Sequence, residues 1–287
     1  MPSLIDIRRR IRSVRNTQQI TKAMKMVSAA KLRRAQDRVI AARPYAALLR
    51  KVLANLAAAV GADDRMDANP LLAQRPEQHI LLLLFTSDKG LAGAFNANLI
   101  KAAQKFLEDH SGAELELETI GRKGRDFFRK RGTRITAEHI GILGNARFEE
   151  GASIARKAIE RFRAGEIDAV YVLNNEFKSV VAQRLAISRL LPVEVPADAE
   201  IVDYIFEQPP NEMLEAILPR FVETEVYRSM LETAAAEHAA RMMAMEAATS
   251  NASEMIDTLT LYMNRVRQAS ITKEIIEVVS GAAAAEE

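Results

Sequence analysis

The sequence predicts two long terminal helices on either side of an α/β domain, and two observations carry this prediction. The first is glycine placement: ten of the twelve glycines lie between Gly90 and Gly165, while residues 1–60 and 166–280 contain none. Because glycine costs about 1 kcal/mol inside a helix, long glycine-free segments favour helix. The second is the alternation of strand-like and helical patterns between these segments, which favours a mostly parallel, helix-covered sheet.

The first predicted helix covers residues 1–60, where apolar residues recur in steps of three and four. This spacing places them on one face of a helix. The pattern has two slips, which separate three groups: Leu4, Ile7, Ile11 and Val14; Ile20, Met24 and Val27; and Leu32, Ala35 and Val39. Pro44 lies inside this pattern and is expected to kink or briefly interrupt the helix.

The second predicted helix covers residues 209–281. Its steps of three and four are regular enough to indicate a coiled-coil seam. The seam residues are Met242, Met245, Thr249, Ala252, Ile256, Leu259, Met263 and Val266. Pro209 or Pro210 suits the first turn, Pro219 is expected to kink the helix, and Gly281 is expected to stop it.

Between the two helices, residues 76–205 form the predicted α/β domain. Strand-like runs lie at 79–85, 115–120 and 169–173, and helical patterns lie at 96–107, 124–130 and 148–162. The polar, proline-containing segment 61–78 is the first linker. The predicted division is therefore 1–60, 76–205 and 209–281.

Composition excludes several classes of protein. With 287 residues and 48% hydrophobic content, the chain can bury a substantial core. It has no cysteine, which rules out disulfides, thiolate zinc sites and cysteine nucleophiles. The longest apolar run, Ile80–Phe85, is far shorter than the roughly 20 residues of a membrane span, and the N-terminus is too charged for a signal sequence. We therefore expect no membrane insertion.

The net charge is only +2, but the two ends of the chain are oppositely charged. Residues 1–51 carry a net charge of +12, whereas residues 212–287 carry −7. A basic arm alone would suggest nucleic acid or an anionic membrane surface, but the acidic arm offers it a partner within the chain.

One stretch, TSDKGLAGAFNANLI from Thr86 to Ile100, has the general layout of a phosphate-binding turn, because it joins a predicted strand to a predicted helix. In a P-loop, however, the lysine follows the glycines and precedes Ser or Thr. Here Lys89 precedes Gly90 and Gly93, so a tight strand-to-helix turn is favoured over a nucleotide site.

Other candidate chemistry is sparse. No two of the four histidines lie within four residues of each other, so the sequence contains no metal-ligand spacing. The basic run KLRRAQDR, Lys31 to Arg38, lacks the interleaved aromatic residues that stack nucleic-acid bases, and favours a solvated or protein-facing helix surface. The sequence predicts no catalytic, cofactor-binding or metal-binding residue.

The end of the second helix is apolar around much of its circumference. It carries Ile271, Ile275, Ile276, Val278 and Val279, here called the apolar tip. A helix that is apolar on most sides is buried on most sides. The first helix begins near Leu4 and cannot cover all of the apolar tip, so we expect a partner outside this chain to do so.

Four segments then resemble a known family. They are RNTQQITKAMKMVSAAKLRRAQ (15–36), SDKGLAGAFNANL (87–99), ARMMAMEAATSNA (240–252) and NRVRQASITKEIIEVVSGAAA (264–284). They closely resemble the gamma subunits of F-type rotary ATP synthases, and nearly the whole chain matches in the right order. The resemblance implies an antiparallel coiled coil of the N- and C-terminal helices plus an inserted Rossmann-like α/β domain.

The resemblance also implies a function. The chain would be the non-catalytic central shaft that couples proton translocation through a membrane c-ring to ATP synthesis or hydrolysis at the alpha/beta hexamer. Its partners would be the alpha, beta and epsilon subunits and the c-ring, with no nucleic acid and no cofactor. With no presequence, the resemblance favours a bacterial protein bound peripherally at the cytoplasmic face of the inner membrane.

The resemblance further implies subunit contacts at seven residues: Met24, Lys25, Arg267, Gln268, Thr272, Tyr204 and Glu207. The first two lie where the N-terminal helix faces an acidic segment of a beta subunit. The next three lie where the C-terminal helix meets a loop of the beta subunits, and the last two lie in a foot that rests on the ring and epsilon.

Two alternatives from other classes remain open at this point. A free-standing coiled-coil scaffold or nucleic-acid-binding rod would bind duplexes with a steep salt dependence. An ATP-binding enzyme that uses Lys89 would bind nucleotide saturably as an isolated chain.

Overall fold

The computed structural model describes residues 3–60, 69–194 and 207–285. Two long helices, α1 (Leu4–Val60) and α5 (Pro210–Ala285), lie on either side of an α/β segment in the sequence. The elements between them are β1 (His79–Phe85), α2 (Phe95–Asp109), β2 (Glu114–Ile120), α3 (Arg122–Arg129), β3 (Ile135–His139), α4 (Phe148–Arg163), β4 (Ala169–Phe177) and β5 (Gln183–Leu191). The predicted long helices and every predicted element of the middle segment are confirmed.

The predictions for the helix ends and prolines have mixed outcomes. Helix α5 begins at Pro210, as expected, because a proline in the first turn sacrifices no helical hydrogen bond. Pro44 and Pro219 both lie inside helices that continue through them, so neither proline interrupts its helix, and the alternative of a kink stays a prediction. The predicted stop at Gly281 is also wrong. The residues that follow it are alanines, whose high helix propensity offsets the modest cost of one glycine.

The sheet has five strands in the order β3-β2-β1-β4-β5. The first four are mutually parallel, while β5 runs antiparallel to β4. The sequence did not reveal β3 or β5. Both are edge strands whose side chains are mostly exposed or half-buried, so neither carries the apolar run that marks the central strands.

The chain forms two compact units. The larger unit comprises Ser28–Arg241, and the smaller combines Met1–Val27 with Met242–Glu287. In the larger unit every residue of β1 after His79 is buried, because parallel strands are covered on both faces. One side of the core packs β1 against the apolar face of α2, and Ala236 of α5 also contributes.

Within the larger unit, α1 and α5 pair through ionic contacts. Arg43 contacts Glu232 at 3.2 Å, and Arg50 contacts Glu225 at 3.0 Å. The residue numbers rise along α1 as they fall along α5, so the helices are antiparallel. Buried Glu232 also accepts a 2.8 Å hydrogen bond from the backbone N–H of Phe177, which ties the helix pair to the end of β4.

Candidate partner-binding surfaces

An aspartate in the turn after β1, Asp88, joins this turn to two other segments of the chain. The Asp88 carboxylate accepts hydrogen bonds from the backbone N–H groups of Arg122 (3.1 Å) and Gly141 (3.0 Å). Arg122 opens helix α3, and helix-start N–H groups are where a phosphate would bind. Asp88 therefore uses its charge within the chain, at the start of α3, and ties the turn to two other segments.

Helix α5 covers the same turn through Arg241. Its guanidinium donates to the carbonyl oxygens of Lys89 (3.3 Å) and Gly90 (3.2 Å), and to the Glu237 carboxylate at 2.7 Å. Arg241 and Glu237 are both buried. Burial raises the pKa of the Glu237 carboxyl, while the charge of Arg241 acts in the opposite direction. The turn is thus a docking point for α5, which favours the structural interpretation over a nucleotide site at Lys89.

The close packing of this turn depends on one glycine. Gly121 has φ of +111°, which L residues rarely adopt, and a Cβ placed there would lie 2.0 Å from the carbonyl oxygen of Thr86. Gly121 therefore lets the end of β1 approach the start of α3.

In the smaller unit, three polar contacts join α1 to α5. Gln18 Nε2 donates to Ser253 Oγ at 2.5 Å, the hydroxyls of Thr21 and Thr249 lie 2.8 Å apart, and Lys25 forms an ion pair with Glu246. The numbers again rise on α1 as they fall on α5, which confirms the antiparallel pairing.

The coiled-coil seam predicted on α5 is confirmed, because all eight of its residues are buried or half-buried and Met245 and Ala252 are fully buried. On α1 the prediction fails at Ile20 and Val27, which are 59% and 57% exposed. The α1 seam instead keeps regular steps of three and four through polar residues: Leu4, Ile7, Ile11, Val14, Gln18, Thr21 and Lys25.

That register leaves apolar side chains on the outside of the helix pair. Ile20, Met26 and Val27 are each more than half exposed. Met24 and Lys25, the first two residues that the sequence assigned to subunit contacts, are half-buried in the same stretch of α1. The result is an apolar surface around 20–27, which we call the collar.

The end of α5 is also exposed. The five residues of the apolar tip are 48–72% exposed, so no described part of the chain covers them. Arg267, Gln268 and Thr272 are exposed as well, and the Thr272 hydroxyl donates to the carbonyl oxygen of Gln268 at 3.0 Å. The tip and these three residues therefore lie on one exposed stretch of helix.

The predicted foot is described only in part. Glu207 is exposed just before α5, whereas Tyr204 lies outside the described residues. Among the residues that the structure describes, no three His, Asp or Glu side chains come together as metal ligands could. None of the helices in those same ranges has the length and apolar character needed to cross a bilayer.

Comparison with known proteins decides between the interpretations that the sequence left open. A family profile described as ATP synthase matches residues 3–285. The ATP synthase gamma chain of Solibacter usitatus is 69% identical over 286 residues and covers all of both chains, and that of Anaeromyxobacter sp. strain Fw109-5 is 50% identical over 289 residues and covers 99% of each. The chain belongs to the ATP synthase gamma-chain family. The free-standing scaffold and the nucleotide-binding enzyme lose their support.

Solved structures agree with this fold. The mitochondrial ATP synthase central stalk and c-ring of Tetrahymena thermophila contains a chain that matches with a TM-score of 0.62 and 23% identity, over 80% of this chain and 99% of that one. A chain of the Euglena gracilis mitochondrial ATP synthase matches with a TM-score of 0.69 and 18% identity, over 98% and 94%. The gamma-chain fold of paired helices and an α/β domain is thus common to distant relatives.

Proposed function

We propose that this gamma chain is the central rotor shaft of an F-type ATP synthase. It couples proton translocation through the membrane c-ring to ATP synthesis or hydrolysis at the alpha/beta hexamer. The observation that carries the proposal is the exposed apolar tip at the end of an antiparallel helix pair. Five aliphatic side chains within residues 271–279 lack any cover in the described chain, and such a surface marks an interaction site.

The role of the chain is mechanical rather than catalytic. The turn that most resembles a phosphate site is tied to the start of α3 through Asp88 and to α5 through Arg241. The chemistry therefore belongs to the surrounding alpha and beta subunits, and the shaft acts by presenting different side chains to them as it turns.

The collar is the proposed contact with the acidic segment of a beta subunit. Met24 and Lys25 lie beside the exposed apolar residues Ile20 and Val27. Lys25 is only partly exposed and pairs with Glu246 of its own chain. A carboxylate of a beta subunit that approaches the collar would compete with Glu246 for the Lys25 ammonium, so this contact could be made and released without stranding a charge.

The second proposed contact lies near the tip, where Arg267, Gln268 and Thr272 meet a loop of the beta subunits. Arg267 and Gln268 are exposed and can donate hydrogen bonds outward. Charge-assisted hydrogen bonds are roughly twice as strong as neutral ones, so Arg267 is the stronger candidate.

The foot is the proposed contact with the epsilon subunit and the c-ring, through Tyr204 and Glu207. With these contacts, the proposed location is the cytoplasmic face of a bacterial inner membrane, where the partners hold the chain. Exposed Glu207 is available for such a contact.

The test uses the reassembled complex. We expect the Arg267→Ala, Gln268→Ala double variant to keep the helical content of the free chain and to lower ATP turnover or proton pumping several-fold. Arg265→Ala is the matched control, because Arg265 is also exposed and lies two residues before Arg267. Parental turnover in the double variant, or an equal loss in the control, would contradict the assignment of this contact.

A further inference from the structure

The larger unit contains a basic pocket that the rotor function does not use. Its volume is about 330 Å³, and it is formed by α1, the 3-10 turn Leu143–Asn145 and α5. The polar side chains that define its character are Lys31, Arg34, Arg38 and His238. The volume falls at the lower end of the range for small-molecule sites.

The charges of the basic pocket are all of one sign. Three cationic side chains line it and no carboxylate does. The nearby acids are engaged elsewhere: Glu237 binds Arg241, and Asp88 binds backbone N–H groups. Among the described residues, neither Lys31 nor Arg34 forms an ion pair, so both cations are available to a ligand.

Arg38 is held in place, unlike a typical surface arginine. One of its terminal nitrogens donates to the carbonyl oxygen of Ala146 and lies 3.3 Å from the hydroxyl oxygen of Tyr227. These contacts orient the planar guanidinium before any ligand arrives. A preorganised guanidinium loses less freedom on binding and suits the two-oxygen geometry of a phosphate.

The interior of the basic pocket is largely apolar, with Leu143, Leu231 and Ala234 buried in its lining. His238 adds a polar group without adding charge. Burial, together with the nearby cations Arg241 and Lys31, lowers the pKa of His238 to about 4, so its ring is neutral near pH 7. Lys31 and Arg34 are exposed, whereas Arg38 is half-buried beside the apolar lining, so water and salt screen its attraction to an anion less.

We propose that the basic pocket binds a small, multiply charged phosphate anion such as pyrophosphate or the polyphosphate tail of a nucleotide. Lys31 and Arg34 neutralise the anion, and Arg38 orients it. Several cations facing one space favour a multiply charged ligand over a single carboxylate. The concave shape, enclosed by three elements, favours a small molecule over a flat protein surface.

The test is calorimetric titration of the full chain with inorganic pyrophosphate at low ionic strength. We expect saturable binding of one anion per chain, weakened about tenfold by Arg34→Ala or Lys31→Ala. Arg33→Ala is the matched control, because Arg33 is exposed, adjacent in sequence and outside the pocket lining. It should change the affinity less than twofold.

A second arm of the experiment uses ATP without magnesium. ATP that competes with pyrophosphate, with the same dependence on Arg34, would support recognition of the polyphosphate. Three results would overturn the proposal: no saturable pyrophosphate binding by the parent chain, equal losses in Arg34→Ala and Arg33→Ala, or ATP binding without pyrophosphate binding. The second result would show diffuse attraction to a basic helix, and the third would show recognition of the nucleoside.

Discussion

The hydroxyl pair between Thr21 and Thr249 allows the helix pairing of the smaller unit to be tested with isosteric changes. The two oxygens lie 2.8 Å apart in the part-buried seam. Valine has nearly the shape and helix propensity of threonine, so Thr21→Val and Thr249→Val remove the hydroxyls while leaving packing and propensity almost constant.

The expected free energies follow from the loss of one or both hydroxyls. Each single change removes the hydrogen bond between the helices and leaves one hydroxyl facing a methyl group, which costs about 1 kcal/mol. The remaining hydroxyl has a backbone acceptor within reach, the carbonyl oxygen of Gln18 for Thr21 or of Met245 for Thr249, so the cost should not be larger. The double change replaces both partners by apolar groups and should cost less than either single change.

Native-state hydrogen exchange of the α5 amides between residues 242 and 266 is the appropriate assay. It reports the opening of the smaller unit by itself, whereas global unfolding of a chain with two compact units is not a two-state process. Since each single change costs about 1 kcal/mol and the double change less than that, we expect a coupling free energy of more than about 1 kcal/mol between the two positions. Strictly additive effects would show that the two hydroxyls do not meet and would refute the register of the helix pair.

Three further predictions concern the seam, the turn and one buried histidine. Leu259→Asp should destabilise the smaller unit by about 2 kcal/mol, because a carboxylate replaces an apolar group in the seam. Glu254 is exposed, so Glu254→Gln should change the stability of that unit by less than about 0.5 kcal/mol. Equal changes in hydrogen exchange for the two variants would contradict the seam. Gly121→Ala should cost at least about 2 kcal/mol in urea unfolding, because its Cβ would overlap the Thr86 carbonyl, and a parental midpoint would refute that geometry. Because the folded-state pKa of His238 is lowered to about 4, the unfolded chain binds the extra proton as the pH falls below about 6.5. The parent should therefore lose stability between pH 6.5 and 4 more steeply than His238→Gln, and parallel urea midpoints across that range would argue against a half-buried ring that stays neutral.

The long helices and the central strands could be predicted because their signals are local. Glycine-free segments with regular apolar steps predict α1 and α5, and the apolar runs of β1 and β4 mark strands that are buried on both faces. Edge strands carry no such signal. Strand β3 is half-exposed along its length, so its position depends on pairing with β2, which the sequence alone does not display.

The register of the α1 seam could not be predicted for a different reason. The apolar residues of α1 alone indicate a pattern with slips near Ile20 and Val27, whereas the structure keeps a regular seam through Gln18, Thr21 and Lys25. Polar residues belong in a seam when the partner helix offers them hydrogen bonds. A search for regular three–four spacing that allowed polar members would have found this register and the exposed collar.

The candidate sites also differ in whether the sequence could predict them. The sequence predicted that the chain itself would leave the apolar tip uncovered. In the structure, no described part of the chain covers those side chains. The basic pocket could not be predicted from sequence, since His238 comes from a part of the chain distant from Lys31 and Arg34. The sequence also could not predict that Asp88 accepts a hydrogen bond from the first residue of α3, because this contact depends on the position of α3 beside the turn.

Single-molecule rotation tests the central claim most directly. The chain contains no cysteine, so Ser111→Cys at the exposed turn between α2 and β2 provides a unique attachment point for a bead. The alpha/beta hexamer, assembled with this chain and fixed to a surface, is then supplied with ATP. We expect continuous rotation of the bead in one direction, which stops when ATP is withdrawn. A complex that hydrolyses ATP at the parental rate while the bead stays fixed would contradict the assignment of this chain as the rotor shaft.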